Sequence, residues 1–192
     1  MKNSMITSAL LLLAFVGAAL YRANYEFLFY ASTLVILLVI LFLLDRRFNF
    51  SQLSLWGFNL WMLLHLVGGM GSIGGTRMYD LVLLPLVGEP YDILKYDQVV
   101  HLYCYVVMAM LVFEVLVQLM NLSHRGALFL VTVLAASGIG GLNEVIEFAA
   151  VVFVGSTGVG GYTNTALDLV ANLIGAMIGA GWMVRSRRYL SV

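Results

Sequence analysis

The sequence predicts an all-α integral membrane protein, a polytopic bundle of about six transmembrane helices with both termini in the cytoplasm. Of its 192 residues, 62% are hydrophobic and only 10% are charged, and the mean hydropathy is +0.98. One small soluble core could not bury this much apolar surface, so the chain must use lipid as its solvent. The apolar residues also fall into six runs, each long enough to cross about 30 Å of hydrocarbon.

We expect each of these runs to form one membrane-spanning helix. They cover about residues 5–21, 27–44, 51–70, 98–121, 127–148 and 164–184. The first run resembles a signal peptide, because Lys2 precedes a leucine-rich middle and small residues follow at positions 17–19. We expect it to be retained as a span. No linker, low-complexity tract or internal repeat divides the chain, which predicts one transmembrane domain over residues 1–192.

Basic residues are distributed unequally between the two sides of these runs. One side has Lys2, Arg46, Arg47, Arg125, Arg185, Arg187 and Arg188, and the other has Arg22, Arg77 and Lys95. Cytoplasmic loops carry the excess of lysine and arginine, so both termini are predicted to be cytoplasmic. The long connection 71–97 and the glycine-rich turn 155–162 would then lie outside. Within the connection, the apolar stretch 81–87 is too short to span and is interpreted as a re-entrant or interfacial segment.

Polar side chains that are costly in lipid collect at the outer ends of four predicted helices, at a similar depth. They are His65, Asp97, His101, Asn143, Glu144, Glu147, Asn164, Asp168 and Asn172. Several form pairs three or four positions apart, at 97/101, 144/147 and 168/172, so the members of each pair share one helix face. We therefore expect these faces to point into a common interior.

Three interpretations of this polar layer stay open. In the first, it binds a divalent ion such as zinc, iron or manganese, because imidazole and carboxylate ligands on facing helices suit these metals. The ligands would be His65, Asp97, His101, Glu144, Glu147 and Asp168. In the second, it is a metal-free acid–base or headgroup-binding site, since clustered titratable groups are typical of functional sites. In the third, it is a hydrogen-bond network that fixes helix packing.

Specific roles follow for the two functional interpretations. The catalytic candidates are His101, as a metal ligand or general base, and Glu144 and Glu147, as ligands or a proton-sharing pair. Substrate contacts are expected from Tyr105, one turn beyond His101 on the same face, and from Asn143, Asn164 and Asn172.

Glu114, the glycines and most of the aromatic residues are interpreted as structural rather than as part of a functional site. Glu114 lies about 24 Å along helix four and is interpreted as a snorkelling or locally hydrogen-bonded residue. The glycines predict close helix contacts and turns, although a break of helix five at 138–141, just before Glu144, is an alternative. The aromatic residues expected to act mostly as interfacial anchors are Tyr21, Tyr25, Phe27, Tyr30, Trp56, Trp61, Tyr79, Tyr91, Tyr96 and Trp182.

Four stretches, taken in order, resemble one family. They are LHLVGG at 64–69, YDQVVH at 96–101, NEVIE at 143–147 and YTNTALD at 162–168, the last followed by Asn172 and by GA at 175–176. They fall within about residues 64–180 and are similar to the YjdF-like bacterial inner-membrane proteins of unknown function, relatives of the VanZ-like membrane proteins.

The resemblance implies a compact helical bundle that groups His65, His101, Glu144, Glu147 and Asp168. The family pattern has aspartate where this chain has Asn164, which implies an altered metal preference. VanZ-like proteins are associated with resistance to glycopeptide antibiotics, which implies at most an outer-surface or envelope-lipid connection.

The function we favour from the sequence is an outer-face site that binds or modifies a lipid or other small amphiphile, with metal dependence left open. The alternatives are a proton- or cation-linked transport protein and a structural subunit of a membrane complex. Zero formal net charge and the lack of a phosphate-cradling glycine loop argue against nucleic acid and nucleotides. The expected partners are membrane lipids and a second membrane subunit, in the cytoplasmic (inner) membrane of a bacterium.

Overall fold

A computed structural model describes residues 2–120, 124–155 and 160–186. It contains six long helices, which are α1 (Asn3–Tyr21), α2 (Tyr25–Phe48), α3 (Gln52–Met70), α4 (Tyr96–Leu119), α5 (Arg125–Val154) and α6 (Tyr162–Arg185). All six are long and apolar enough to cross a membrane. The predicted fold class and number of spans are confirmed.

The helix boundaries follow local capping signals. Asn24 accepts a hydrogen bond from the backbone N–H of Phe27 at the start of α2, and Ser51 accepts one from Ser54 at the start of α3. Helix α5 continues six residues past its predicted end at 148, because residues 149–154 are apolar, and it stops at Gly155 in the left-handed conformation.

Three sequence predictions fall wholly or partly on residues that the structure does not describe. Asn121, the predicted last residue of the fourth span, lies outside the described residues. So do positions 156–159 of the glycine-rich turn, and Arg187 and Arg188 of the basic C-terminal segment.

The connection between α3 and α4 forms two small antiparallel hairpins. The first pairs β1 (Ser72–Ile73) with β2 (Thr76–Arg77), and the second pairs β3 (Val82–Val87) with β4 (Ile93–Lys95). The stretch 81–87, predicted to be a re-entrant or interfacial segment, is mainly an extended strand with backbone pairing to β4, in keeping with Pro85, which would kink or break the interior of a helix. All six residues of β3 are exposed. We call the end of the bundle that carries residues 71–95 the hairpin end.

Helix α4 packs against α3, α5 and α6, and its most extensive contact is with α6. Small residues on α6 allow this close approach. A Cβ atom added to Gly175 would collide with the backbone carbonyl oxygen of Leu102, and one added to Gly179 would collide with that of Val106. Gly175 and Gly179 of the last helix therefore form a close helix contact, as predicted.

We expect Gly175→Ala to lower the free energy of unfolding by about 1–3 kcal/mol, the usual cost of overpacking a tight contact. The added methyl group meets backbone atoms of Leu102, which cannot rotate away. Gly181→Ala is the matched control on the same helix, because its Cβ would lie 3.9 Å from the nearest atom, on Phe129. Thermal unfolding in detergent measures both variants, and equal stability of the two would contradict the prediction.

Glu114, predicted to be a snorkelling or locally hydrogen-bonded residue, is hydrogen-bonded, but to another helix. Its side chain is buried, at 3% exposure, and binds the start of α3 instead of reaching the surface. Its carboxylate accepts hydrogen bonds from the Ser51 backbone N–H at 2.8 Å and from the Ser54 hydroxyl at 2.7 Å. The partners lie 60 and 63 positions away in the sequence, so spacing along α4 could not reveal them.

Helix α5 is continuous through residues 138–141. The alternative of a broken helix, which would have freed backbone groups to line a cavity, is not what the chain forms. Gly140 instead packs beside the side chains of Asn172 and Tyr105. The glycine therefore lets α5 approach α4 and α6 next to the polar residues.

Candidate functional site

The polar residues at the hairpin end come together where α4, α5 and α6 meet. The start of α4 is fixed by Gln98, whose side-chain oxygen accepts hydrogen bonds from the backbone N–H groups of Leu94 and Lys95 at 2.7 and 3.1 Å. This cap holds the first turns of α4, and with them Asp97 and His101, in a defined position.

His101 is the centre of the cluster. Its Nε2 atom lies 3.6 Å from Asp97 Oδ1 and 3.9 Å from Glu147 Oε1, and its Nδ1 atom lies 3.8 Å from Glu144 Oε1. The Nδ1 atom also lies 3.0 Å from Asn172 Oδ1, which is a hydrogen bond. Three helices therefore present carboxylates or amides to one imidazole.

Amide side chains hold several of these carboxylates. Asn164 Nδ2 donates to Asp168 Oδ2 at 2.6 Å and lies 3.2 Å from Asp97 Oδ2. Asn143 Nδ2 donates to Glu147 Oε1 at 2.8 Å. Each asparagine thus orients an acidic side chain, and Asn164 links α6 to α4.

Other buried polar atoms in the cluster have no hydrogen-bond partner in the structure as described. They are both carboxylate oxygens of Glu144, Oδ1 of Asp168 and Nδ2 of Asn172. The amides of Asn143 and Asn172 lie near the Glu144 carboxylate, but without normal hydrogen-bond geometry. Asp168 is 0% exposed and Glu144 is 9% exposed. Such unsatisfied acidic groups are costly for the fold, which favours a ligand over packing as the reason for keeping them.

His65 lies apart from the cluster, although it borders the same cavity. It forms a hydrogen bond through Nδ1 with the hydroxyl of Tyr79, which also donates to the His65 carbonyl oxygen at 3.2 Å. Its ring is stacked on Phe15 and Trp61, with centroids 5.5 and 5.6 Å apart. His65 belongs to neither group of residues that could hold a metal ion.

Tyr79 is a site residue that the sequence interpretation treated as an interfacial anchor. Burial, together with the charges of Asp97 and Glu147, raises the pKa of Tyr79 well above its usual value. Its hydroxyl therefore stays protonated and available to His65. Only the short turn between the two hairpins, Met78–Asp80, brings Tyr79 into this position, and no periodic signal in the sequence indicates such a turn.

Some other predicted anchors also pack inside. Phe27 is 2% exposed and, like Trp61, its ring stacks on His65. Tyr21, Tyr25 and Trp182 are exposed at 92%, 72% and 62%, as interfacial residues would be. Aromatic type and position near a helix end do not distinguish these two groups.

A cavity of about 730 Å³ joins the polar cluster to an apolar groove. Its polar end is lined by His65, Tyr79, Asp97, His101, Asn143 and Glu147. From there it follows α4 as far as Leu116, roughly 28 Å at the helical rise. Its lining includes Ile36 on α2 and Leu142 on α5, each about 60% exposed on the outside of the bundle. The cavity therefore reaches side chains on the outer surface of the bundle, on α2 and on α5.

A second, smaller cavity of about 200 Å³ lies on the other side of the cluster. It is lined by residues of the second hairpin and the start of α6, including Lys95 and Asn164. Asp97 lines both cavities. The cluster is therefore reached both from the apolar groove and from the loops of the hairpin end.

The structure brings together eight of the predicted site residues, which are Asp97, His101, Asn143, Glu144, Glu147, Asn164, Asp168 and Asn172. Tyr105, 3% exposed, borders the large cavity beside them. His65 is the predicted ligand that stands apart.

The fold and the site define a six-helix integral membrane protein with a buried histidine–carboxylate cluster at one end. The chain belongs to the family described as "Predicted membrane protein (DUF2238)", whose model matches residues 3–189. This is a family of unknown function. No curated protein and no solved structure matches the chain.

Proposed function

We propose that this protein binds a lipid or other small amphiphile, with its headgroup at the histidine–carboxylate cluster and its tail in the groove beside α4. The observation that carries this proposal is the 730 Å³ cavity, which is continuous from Asp97 and His101 to Leu116. Its volume lies in the range of small-molecule sites, about 300–1,000 Å³. A polar end joined to an apolar groove matches the shape of an amphiphile.

The acidic side chains of the cluster restrict which chemical types of headgroup can bind there. Asp97, Glu144, Glu147 and Asp168 are four carboxylates around one imidazole, which carries at most one positive charge. An anionic headgroup would be repelled, whereas amine or hydroxyl groups can donate hydrogen bonds to the carboxylates. The headgroup is therefore rich in hydrogen-bond donors, with Glu147 and Asn143 facing it from the cavity wall.

Orientation and location are part of the proposal. The excess of lysine and arginine at the end opposite the hairpins supports cytoplasmic termini and a headgroup site on the outer face. The resemblance to YjdF-like and VanZ-like proteins supports the inner membrane of a bacterium and an envelope-lipid ligand. A transport function has less support, because it would use the alternative of a broken α5, and the helix is continuous through residues 138–141.

Blocking the groove tests the proposal. We expect Val112→Trp to reduce the amphiphile that copurifies with the detergent-solubilised protein by about tenfold, equivalent to about 1.4 kcal/mol of binding, because Val112 lines the groove and an indole would fill it. Lipid extraction and mass spectrometry measure the amount bound per chain.

Leu130→Trp is the control for an added indole. Leu130 is 55% exposed on α5 and does not line the cavity. Equal amounts of amphiphile in both variants, or none in the unmodified protein, would contradict the proposed function.

A further inference from the structure

We propose that Asp97, His101 and Asp168 bind one divalent transition-metal ion, of the zinc or manganese class. The inference deepens the proposed function by adding a cofactor to the same site. It rests on that function only for the ligand that would complete the coordination of the ion.

The three side chains are already near coordination distance. One ligand atom from each lies within 4.8 Å of the others, and His101 Nε2 is 3.6 Å from Asp97 Oδ1. Metal–ligand bonds of about 2.0–2.2 Å place neighbouring ligand atoms roughly 3–3.5 Å apart. A small inward movement of the side chains would therefore complete the geometry.

The hydrogen bond of His101 selects the nitrogen that faces the ion. Asn172 Oδ1 can only accept, so the Nδ1 atom 3.0 Å away must carry the hydrogen. The Nε2 atom then has the free lone pair, and it points toward the Asp97 carboxylate. Metal-binding histidines commonly have their other ring nitrogen fixed by such a partner.

The amide of Asn164 binds the same carboxylate oxygen, Oδ2, of both Asp97 and Asp168. Oδ1 of Asp97 is left facing His101, and Oδ1 of Asp168 is buried without a hydrogen-bond partner in the described structure. One amide thus holds carboxylates from two different helices so that the Oδ1 atom of each remains available to bind a metal ion.

The buried oxygen of Asp168 is an independent indication of a ligand. Its side chain is 0% exposed, so water cannot replace the missing partner. Glu144, close to the same imidazole, also has two unpartnered oxygens. A divalent cation would supply the partner that these buried carboxylate oxygens lack, which a single histidine cannot do for all of them.

The structure also brings His101, Glu144 and Glu147 within the same 4.8 Å limit, but this set is less suited to a metal. The nitrogen nearest Glu144 is Nδ1, which carries the hydrogen. The Glu147 oxygen nearest His101 is Oε1, which already accepts from Asn143. Glu147, which lines the large cavity, remains available to the headgroup.

The donor set and its surroundings define the ion. Imidazole favours zinc, iron and related metals over magnesium and calcium. Three protein ligands leave a coordination position open for water or a headgroup oxygen, as in catalytic zinc sites. The 200 Å³ cavity, which Asp97 and Asn164 line, gives the ion a route from the hairpin end.

The test uses the full-length chain purified in detergent and stripped of metal with a chelator. Calorimetric titration with Zn²⁺, Mn²⁺ and Mg²⁺ measures affinity, and elemental mass spectrometry measures the ion bound per chain. We expect one Zn²⁺ or Mn²⁺ per chain and much weaker Mg²⁺ binding. Asp168→Asn should weaken Zn²⁺ binding at least a hundredfold. Asn164→Ala should weaken it about tenfold, as is typical when a ligand-orienting group is lost.

Two variants serve as controls. Glu147→Gln and His65→Gln remove nearby titratable groups that are not among the three ligands, and both should retain the ion. Asp97→Asn replaces Asp168→Asn as the test variant if the latter does not fold. Absence of stoichiometric metal in the unmodified protein would overturn the inference, as would loss of metal in Glu147→Gln with retention in the aspartate variant.

Amphiphile content, measured on the same samples, separates this inference from the proposed function. Copurified amphiphile without any metal binding would overturn the metal site alone. Metal binding that depends on Asp168, in a protein that retains no amphiphile, would overturn the proposed function alone.

Discussion

Replacement of Glu114 with alanine is expected to lower the free energy of unfolding by about 3 kcal/mol or more, since hydrogen bonds to charged groups contribute about 1.5–3 kcal/mol each. The change removes two such bonds and takes the carboxylate acceptor away from the partly buried Ser51 N–H and the buried Ser54 hydroxyl. The carboxylate also lies at the start of α3, where the helix dipole favours a negative charge.

Chemical or thermal unfolding in detergent measures this loss. Glu114→Gln is the control, because the amide keeps the shape and one acceptor oxygen and should lose about half as much stability. Full stability of Glu114→Ala would show that water replaces the carboxylate and that the contact between α3 and α4 does not depend on it.

Glu144→Met is expected to have the opposite effect and to raise the free energy of unfolding by about 1–3 kcal/mol, because a buried polar group without a hydrogen-bond partner costs about this much and the change removes it. Neither oxygen of Glu144 makes a hydrogen bond within the described residues, so the change breaks none. Methionine is similar in length and adapts to irregular spaces. The gain in stability should come with a loss of bound amphiphile.

This variant discriminates between a functional site and a packing network. If the polar cluster only fixed the helices, Glu144→Met would destabilise the protein and leave its ligands unchanged. Thermal unfolding and lipid extraction of one preparation provide both measurements. A fall in stability with unchanged amphiphile content would favour the structural interpretation.

A comparison of Glu114 with Glu144 shows why hydropathy alone does not separate acidic residues with a structural role from those with a functional role. Both are acidic residues within apolar helices, and hydropathy treats them alike. Glu114 has partners from α3, and Glu144 lies beside His101 without a hydrogen bond in the part of the chain that the structure describes. The difference arises from packing between helices that are distant in the chain.

The spans themselves could be predicted because lipid imposes a length and an apolar composition on every helix. The grouping of Asp97, His101, Glu144 and Asp168 could also be predicted, since helices that alternate in direction bring their outer ends to one layer. The partner of His65 could not, because Tyr79 reaches it through an irregular turn. The hairpins around that turn depend on backbone pairing, which has no comparable sequence signal.

The length of the groove affects how this protein would select a ligand. At roughly 28 Å along α4, it covers nearly the whole hydrocarbon thickness of about 30 Å, so a tail attached to a headgroup near Asp97 can pass the bilayer midplane into the opposite leaflet. Lipid tails are as apolar as leucine, so a methylene group gains little by leaving the bilayer for the groove. The headgroup would therefore determine the binding affinity. The groove would select among tails by shape, because tails that are too bulky or branched could not lie beside α4.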